Sequence, residues 1–366
     1  MKKTKIDIPF LIAILILVIG GYLIFRSASL GLLSKQSVKY AGVAFNQTVY
    51  GLLLGSIACF ITSKIDYKIY RKYAFFIFIG SVVLTLLVFA PGIGFSHGGA
   101  NRWVRLGTLS FQPSEFLKIG FVIFLSAWMA SIKDRVQTFK YGFLPFFILL
   151  FITGVVLLLQ PDTDTFFITV FAGIAIYLSS GGKWKYLLLI GLCGIIGIGL
   201  LVYSRPYVKS RIQTFINPAE NSLGSGYQIQ QSLIAIGSGG VFGRGFGQSI
   251  QKFNVLPEPI GDSIFAVASE EFGFVGATSI ILVFIFFTVR GLKIASRTVD
   301  SFGRLMTVGI VIMISSQAFV NIGAMVGVIP LSGITLPFIS HGGTALFMTL
   351  AEVGIILNIS KSSKKN

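Results

Sequence analysis

The sequence predicts an all-α polytopic membrane protein, a bundle of about ten transmembrane helices. Of its 366 residues, 54% are hydrophobic and only 12% are charged, which excludes an ordinary soluble domain. Runs without a charged residue recur, such as 41–63 and 305–351, and a span needs only about 20 apolar residues. Because backbone groups in lipid must be satisfied within the protein, these continuous runs indicate helices and not barrel strands.

Ten apolar segments meet these criteria. They are 8–25, 42–62, 74–91, 114–131, 141–159, 165–181, 186–203, 263–289, 305–329 and 339–359. The first segment follows the basic MKKTK, is long and lacks a small-residue cleavage site, so we expect an anchor and not a removed signal peptide. No soluble segment or linker interrupts the spans, which predicts one membrane domain over residues 1–366.

The net charge of +17 is explained by short basic loops between the spans, because no basic domain is present that could hold a nucleic acid duplex. Lys and Arg are concentrated in the loops on one side of the bundle. By the positive-inside bias, both termini are predicted to be cytoplasmic, and the long segment 204–262 is predicted to lie outside.

That exterior segment is longer than a connection between packed helices requires. Its centre, QIQQSLIAIGSGG, predicts a short amphipathic helix ended by glycines. The glycine run GSGGVFGRGFGQS lacks the strand, helix and Lys-Ser/Thr pair of a phosphate loop, which favours glycines that permit tight turns and close helix approach. The alternative role for this glycine run is an anion site, in which its backbone N–H groups and Arg244 would face a negatively charged group.

Five ionisable residues fall at membrane depth, where charges generally face a bundle interior or a wet cavity. They are Glu115, Lys118, Glu270, Glu271 and Glu352. Glu115 and Lys118 are three residues apart and can pair on one helix face, either to fix helix register or to contact a substrate. Glu352 has no cation on its own span, so it is either protonated or paired with Lys118 across helices.

Cations cluster on the exterior side, where few anions accompany them. They are Arg26, Arg102, Arg105, Arg205, Lys209, Arg211, Arg244 and Lys252. An outward cavity rich in arginine indicates a ligand with phosphate groups, because the guanidinium fork matches phosphate oxygens. Each cation taken alone could equally be a solvated loop charge.

Four of the 13 acidic residues, Glu258, Asp262, Glu270 and Glu271, stand where one apolar segment begins. Asp262 is at the predicted first turn of that span. It could act as a helix N-cap, as a general base at the membrane surface, or as both.

Cysteine and histidine provide no metal site. Cys59 and Cys193 fall inside predicted spans, which is typical of small buried hydrophobes, and His97 and His341 lie in separate glycine-rich exterior loops. Any metal would have to be held by carboxylates.

Seven motifs, in order along nearly the whole chain, resemble the SEDS family (shape, elongation, division and sporulation). They are NRWVRLGTLSFQPSEFLK, QPD followed by a threonine, GYQIQQSLIAIGSGG, GRGFGQSIQK, LPEPIGDSIFAVASEEFGFVG, NIGAMVGVIPLSGITLPFISHGG and LNIS. The form of the LPEPIGDSIFAV segment favours the FtsW-like division branch of the family.

The resemblance implies a peptidoglycan glycosyltransferase that polymerises lipid II at the outer face of the bacterial plasma membrane. Asp262 would be the general base that deprotonates the acceptor hydroxyl. The resemblance also implies a class B penicillin-binding protein and other divisome or elongasome membrane proteins as partners. No covalent cofactor is expected, and the leaving diphosphate would be stabilised by cations alone or together with a divalent ion, Mg²⁺ or Mn²⁺.

The other site residues follow from the matched motifs and the exterior cations. Those expected to bind substrate are Arg102, Arg105, Lys118, Glu115, Gln160, Asp162, Arg244, Lys252 and Ser340. Those expected to support the site, by pairing with cations or holding a metal, are Glu258, Glu270, Glu271 and Asn321. Three positions depart from the family pattern: Asp164 replaces the usual Gly before Thr165, GGTA at 342–345 replaces GGSS, and Arg26 replaces an apolar or tyrosyl residue.

Three other functions compete. A lipid II flippase would use the same cavity and cations without needing a base, and a divisome scaffold would need no carboxylate and arginine constellation. An undecaprenyl-diphosphate phosphatase would need a histidine pattern, for which two histidines give little material, or a carboxylate-rich metal motif.

Overall fold

The computed structural model describes residues 6–33, 37–97, 100–106, 109–204, 206–217, 225–253 and 255–362. The α-helices in this part of the chain are α1 (Ile8–Leu33), α2 (Ser37–Phe45), α3 (Leu54–Lys64), α4 (Lys68–Lys72), α5 (Ala74–Leu86), α6 (Pro113–Ile132), α7 (Leu144–Leu159), α8 (Thr163–Ser179), α9 (Lys185–Ser204), α10 (Pro206–Ile216), α11 (Ser225–Ser238), α12 (Ile264–Arg297), α13 (Ser301–Met325) and α14 (Gly343–Ser360). A π-helical stretch, Asn46–Leu53, joins α2 to α3.

The prediction of a bundle of about ten spans is confirmed. Among the described residues, seven helical segments are long and apolar enough to cross a membrane. The remaining predicted spans correspond to the shorter apolar helices Ala74–Phe89, Thr163–Ser179 and Lys185–Gly197. The chain is therefore a multi-pass integral membrane protein.

Helix α13 is the centre of the bundle. In the most apolar 18-residue stretch of α13, 78% of the residues are buried inside the protein. In the corresponding stretch of α12 only 17% are buried, so most side chains of that stretch face away from the bundle. Helices α6, α8 and α12 pack around α13. A central helix covered on several sides can carry polar side chains, because neighbouring helices and not lipid surround them.

Polar caps set where several helices begin. The Asp162 carboxylate accepts from the Thr165 N–H (3.5 Å) at the start of α8, and Asp300 accepts from the Gly303 N–H (2.9 Å) at the start of α13. Pro113 opens α6, where its missing N–H costs nothing.

A small antiparallel sheet, which the sequence analysis did not predict, precedes α6. Its strands are β1 (Gly94–His97), β2 (Ala100–Leu106) and β3 (Leu109–Phe111), in the order β1-β2-β3. The pairing Val104↔Phe111 sets the register of β2 and β3, and Val104 is 1% exposed. The pairing of β1 with β2 skips Arg102, since Phe95 pairs with Trp103 and Ser96 with Asn101, so Arg102 is the extra residue of a β-bulge. Its side chain is half-buried, whereas that of Arg105 is exposed.

The glycine run in the exterior segment packs against a kink in α12. Gly273 has φ 67° and ψ −164°, which breaks the helix and frees backbone groups of the neighbouring turn. The glycine loop pairs with them: Arg244 N–H donates to Glu270 O (3.0 Å), and Phe274 N–H donates to Gly240 O (2.9 Å). The expectation that these glycines permit turns and close helix approach is confirmed, and α11 confirms the predicted short helix before them.

Replacing Gly273 with Ala is expected to destabilise the protein by about 1–3 kcal/mol, because the residue has positive φ and an added Cβ would overlap the Gly243 backbone. Thermal unfolding in detergent measures the effect. Gly80→Ala in α5 is the matched control, since nothing lies within 4 Å of its added Cβ. Equal melting temperatures for Gly273→Ala and the wild type would contradict the kink as a constraint.

Candidate active site

Asp262 lies at the end of a tight turn that leads into α12. The N–H groups of Gly261 and Ser263 donate to the Glu258 carbonyl at 3.0 and 3.2 Å. Ser263 is the capping residue, and the helix begins at Ile264. The alternative in which Asp262 caps the helix is therefore wrong, and the half-buried Asp262 carboxylate is not used to terminate α12.

Two buried polar side chains hold this turn in place. Asn321 of α13 donates from Nδ2 to the carbonyls of Asp262 (2.8 Å) and Ile334 (2.7 Å). The Ser340 hydroxyl donates to the Gly261 carbonyl (2.7 Å). Asn321 thus has the supporting position that was predicted. Ser340 uses its only hydroxyl proton to position the turn beside Asp262, and its predicted substrate contact stays a prediction.

His341 adds a third contact that the sequence analysis did not find. Its backbone N–H donates to the Ile260 carbonyl (2.7 Å), and its ring stacks on Phe25 of α1 with centroids 5.9 Å apart. Burial lowers the pKa of the His341 imidazole to about 4, so the ring is neutral at physiological pH. A neutral aromatic ring here joins α1 to the turn without adding charge next to Asp262.

Asp262 sits among charges of both signs. Burial raises the pKa of its carboxyl from 3.8 to about 7, and the negative charges of Glu258 and Asp164 add to this shift. The positive charges of Arg211 and Arg102 act in the opposite direction and lower it. A carboxyl with a pKa near physiological pH can both accept and release a proton, which is what general base chemistry needs.

Arg102 is held firmly by the segment that precedes α8. It donates from Nε to the Gln160 carbonyl (3.3 Å) and from an Nη atom to the Pro161 carbonyl, and its Nη1 lies 3.9 Å from Asp162 Oδ1. Gln160 is fully buried and donates to the Thr85 carbonyl (2.7 Å). The structure thus brings together Arg102, Gln160 and Asp162, three of the predicted site residues.

The remaining exterior cations differ in what they contact. The guanidinium of Arg105 is exposed and lies 4.4 Å from the centroid of the Phe95 ring. Arg26 and Lys209 are also exposed, and Arg205 lies outside the described residues. Arg105 therefore has an accessible charge, and its predicted contact with substrate stays a prediction.

Lys118 and Glu115 pair inside the bundle, as expected from their spacing. Lys118 Nζ lies 3.0 Å from Glu115 Oε2 and donates to Gln317 Oε1 (2.9 Å). Gln317 in turn donates to the Thr335 carbonyl (3.1 Å), so the cluster reaches the segment beside Asp262. Glu352 of α14 is 3% exposed and forms no ion pair with Lys118, whose described partners are Glu115 and Gln317, so pairing across helices is not observed among the described residues. Burial on all sides favours a structural role for Lys118, and its predicted substrate contact stays a prediction.

Glu271 and Lys252 form a fully buried ion pair that holds the glycine loop. Lys252 Nζ lies 2.7 Å from Glu271 Oε1 and donates to the Gly247 carbonyl (2.8 Å) and Ser27 Oγ (3.0 Å). The Ser27 hydroxyl of α1 donates to the same carboxylate (2.5 Å). Both side chains of the pair are 0% exposed, so these contacts favour a structural role for Lys252 over the predicted substrate contact.

Glu270 makes a parallel set of contacts one residue earlier. It accepts from the Ser249 hydroxyl (2.5 Å) and from the backbone N–H groups of Ile250 (3.1 Å) and Gln251 (3.2 Å). Arg244 Nε lies 3.4 Å away, and its side chain is 38% exposed. The two glutamates thus pair with loop cations and loop amides, one of the two supporting roles that were predicted for them.

A carboxylate metal site was the other role considered for these glutamates. Within the described ranges of the chain, no group of three or more His, Cys, Asp or Glu side chains is placed to hold a metal ion. The oxygens of Glu270 and Glu271 already accept from hydroxyl, amide and ammonium groups. These glutamates do not fit a protein-held metal.

Comparison with known proteins identifies the family of the chain. The family of cell cycle proteins that comprises FtsW, RodA and SpoVE matches residues 7–365, and the chain belongs to this family. Stage V sporulation protein E of Bacillus subtilis is 38% identical over 99% of each chain, and the probable peptidoglycan glycosyltransferase FtsW of Geobacter sp. (strain M18) is 36% identical over 97% of this chain and 96% of its own.

Solved structures share the fold. A structure described as structural coordination of polymerization and crosslinking by a peptidoglycan synthase complex aligns with a TM-score of 0.81 and 25% identity over 97% of each chain. The crystal structure of the rod shape determining protein RodA of Thermus thermophilus aligns with a TM-score of 0.71 and 24% identity over 99% of this chain and 98% of that chain. The SEDS membership that the motifs indicated is therefore confirmed.

Removing one member of the buried pair is expected to be costly. Glu271→Gln leaves the Lys252 charge buried without its counter-charge, which should cost about 3–5 kcal/mol of unfolding free energy, measured by chemical or thermal unfolding in detergent. Glu271→Gln/Lys252→Met should recover part of this loss, because it removes both charges. Arg244→Gln is the comparison variant and should cost less than Glu271→Gln, because the Arg244 side chain is 38% exposed and Glu270 keeps its hydrogen bonds from Ser249, Ile250 and Gln251. A fully stable Glu271→Gln protein would refute the structural role.

The raised pKa of Asp262 predicts how stability depends on pH. A carboxyl whose pKa is about 7 in the folded protein, against 3.8 ordinarily, binds its proton more tightly when folded. Stability is therefore lost as the pH rises through this interval, and the penalty is complete above it. Asp262→Asn removes this destabilisation, because asparagine carries no charge. The melting temperature of the Asp262→Asn protein, relative to that of the wild type, should therefore increase between about pH 5 and about pH 8. A constant difference would contradict the shift.

Proposed function

We propose that this chain is a peptidoglycan glycosyltransferase that polymerises lipid II, with Asp262 as the general base. The observation that carries the proposal is the half-buried Asp262 carboxyl, whose pKa is raised to about 7 and which faces the charges of Arg102 and Arg211. The names of the FtsW relatives support the activity. The site combines a proton acceptor with nearby cations, which transfer of a sugar from a diphosphate leaving group requires.

The reaction begins when the Asp262 carboxylate accepts the proton of the acceptor sugar hydroxyl. The hydroxyl oxygen then forms a bond to the anomeric carbon of the donor sugar. The bond from that carbon to the diphosphate oxygen breaks, and the bonding electron pair leaves with the polyprenyl diphosphate. Arginine side chains around Asp262 stabilise the charge that develops on the leaving group, because the guanidinium fork matches phosphate oxygens.

The rigid surroundings of Asp262 support this role. The Asp262 carbonyl accepts a hydrogen bond from Asn321 of α13, and the Gly261 and Ile260 carbonyls accept from the adjacent residues Ser340 and His341. A base held in this way reaches the acceptor hydroxyl without a rearrangement of its backbone, and positioning of this kind contributes strongly to rate. A divalent ion, Mg²⁺ or Mn²⁺, would then arrive with the diphosphate and be held mainly by its oxygens.

The location and partner follow from the same proposal. The basic loops support an orientation with both termini in the bacterial cytoplasm and the Asp262 end of the bundle outside the plasma membrane, where the proposed polymerisation of lipid II occurs. The similarity to a chain in a peptidoglycan synthase complex supports a class B penicillin-binding protein as partner. The division branch stays our preference, and SpoVE of Bacillus subtilis and FtsW proteins are among the similar chains.

Polymerisation of labelled lipid II by the purified chain with its cognate partner tests the proposal on a glycan-length gel. Asp262→Asn is expected to reduce the rate by about 100-fold or more, because the proton acceptor is lost. Wild-type activity should fall as the pH is lowered through about 7, since protonated Asp262 cannot act as a base.

Asp300→Asn is the matched control, because it changes a carboxylate that caps α13 (2.9 Å to the Gly303 N–H), and activity should persist. The partner alone must form no polymer. Polymer from the Asp262→Asn protein at the wild-type rate would refute the base assignment. A wild type that moves lipid II between leaflets but makes no polymer would favour the flippase, and a wild type that does neither would favour the scaffold.

A further inference from the structure

Asp164 departs from the family pattern and lies beside Asp262. It stands in the first turn of α8, where the resemblance predicts a glycine. A single oxygen, Asp164 Oδ2, accepts from two donors: Arg211 Nη1 of α10 at 2.9 Å and the backbone N–H of Gly333 at 3.1 Å. This residue therefore connects α8, α10 and the segment before α14.

The two donors border the same space as the proposed base. A methyl group placed on Gly333 would lie 3.6 Å from Arg211 Nη2, 3.8 Å from Asp164 Oδ2 and 3.8 Å from Asp262 Oδ2. Gly333 has no side chain, so this space stays open. A guanidinium and a backbone N–H that converge on one oxygen are the donors that phosphate oxygens take in proteins.

Arg211 is held less tightly than Arg102 on the other side of the site. Arg102 donates to two backbone carbonyls and also lies 3.9 Å from the Asp162 carboxylate, so several protein acceptors share its guanidinium. Arg211, in contrast, forms its described ion pair with the Asp164 carboxylate alone. The side chains of Arg211 and Asp164 are 28% and 12% exposed. Partly exposed ion pairs of this kind contribute little net free energy and can be exchanged.

We propose that Arg211 and the Gly333 N–H form an anion subsite next to Asp262, which the chain's own Asp164 carboxylate occupies until a polyprenyl diphosphate headgroup displaces it. Asp164 is then a positioning residue that competes with the ligand for Arg211. The proposal rests on the proposed function in one respect, that the ligand carries a diphosphate.

Equilibrium binding of undecaprenyl diphosphate to the purified full-length chain tests the proposal. Asp164→Asn is expected to bind about two- to fivefold more tightly, because a partly exposed competing ion pair is removed. Arg211→Gln is expected to bind about tenfold more weakly, because a charge-assisted hydrogen bond is lost. In Asp164→Asn/Arg211→Gln the gain should disappear, since Asp164 acts only through Arg211.

Asp7→Asn is the matched control, because Asp7 and Arg290 form another partly buried pair (2.8 Å) at a different place in the bundle. It should leave binding unchanged, and undecaprenol without phosphates should show no difference among the variants. Inorganic pyrophosphate is the second ligand tested, and a gain with it but not with the lipid would overturn the assignment to a lipid headgroup.

Weaker or unchanged binding by a folded Asp164→Asn protein would overturn the proposal, as would a gain that persists in the double variant. These outcomes are separate from those of the polymerisation assay. A wild type that binds in the expected pattern but makes no glycan would refute the proposed activity and leave the anion subsite supported.

Discussion

The cost of a charge without a counter-charge in an apolar bundle governs the arrangement of this protein. Glu115, Glu270 and Glu271 lie among helices that lipid surrounds, and each is met by cations or hydrogen-bond donors. Asp262 differs from these glutamates. Its backbone carbonyl accepts a hydrogen bond from Asn321, while its carboxyl lies near both positive and negative charges. The positive charges do not offset the effect of burial, so the pKa of the carboxyl stays raised. The same physical rule therefore accounts for the paired carboxylates in the bundle and for the raised pKa of Asp262 at its edge.

The fastening of Asp262 depends on contacts between segments that are distant in the chain. The kink at Gly273 lets the glycine loop pair with α12, and the Lys252–Glu271 pair connects this loop to α1 through Ser27. His341 then joins α1 to the turn that precedes Asp262 through its ring and its backbone. The bundle, the loop and the turn are thus one connected structure.

The helices could be predicted from the sequence because a span of apolar residues is a local signal, and the motifs directed attention to Asp262. The strands β1 to β3 were missed because the alternation in NRWVRL is short and lies within a helical protein. Contacts between residues far apart, such as Lys118–Gln317 and Arg211–Asp164, could not be predicted, since no local pattern encodes which side chains meet. The complete burial of the Lys252 side chain and the hydrogen bond from Ser340 to Gly261 also depend on the tertiary fold, which composition does not report.

The two sides of the site differ in how they can change during evolution. On the Arg102 side the two hydrogen-bond acceptors are the backbone carbonyls of residues 160 and 161, which no side-chain substitution removes, and the Asp162 carboxylate lies further away at 3.9 Å. On the Arg211 side the described acceptor is the single Asp164 carboxylate, which one codon can create or delete. Related chains can therefore alter one side of this site in a single mutational step while the opposite side stays the same.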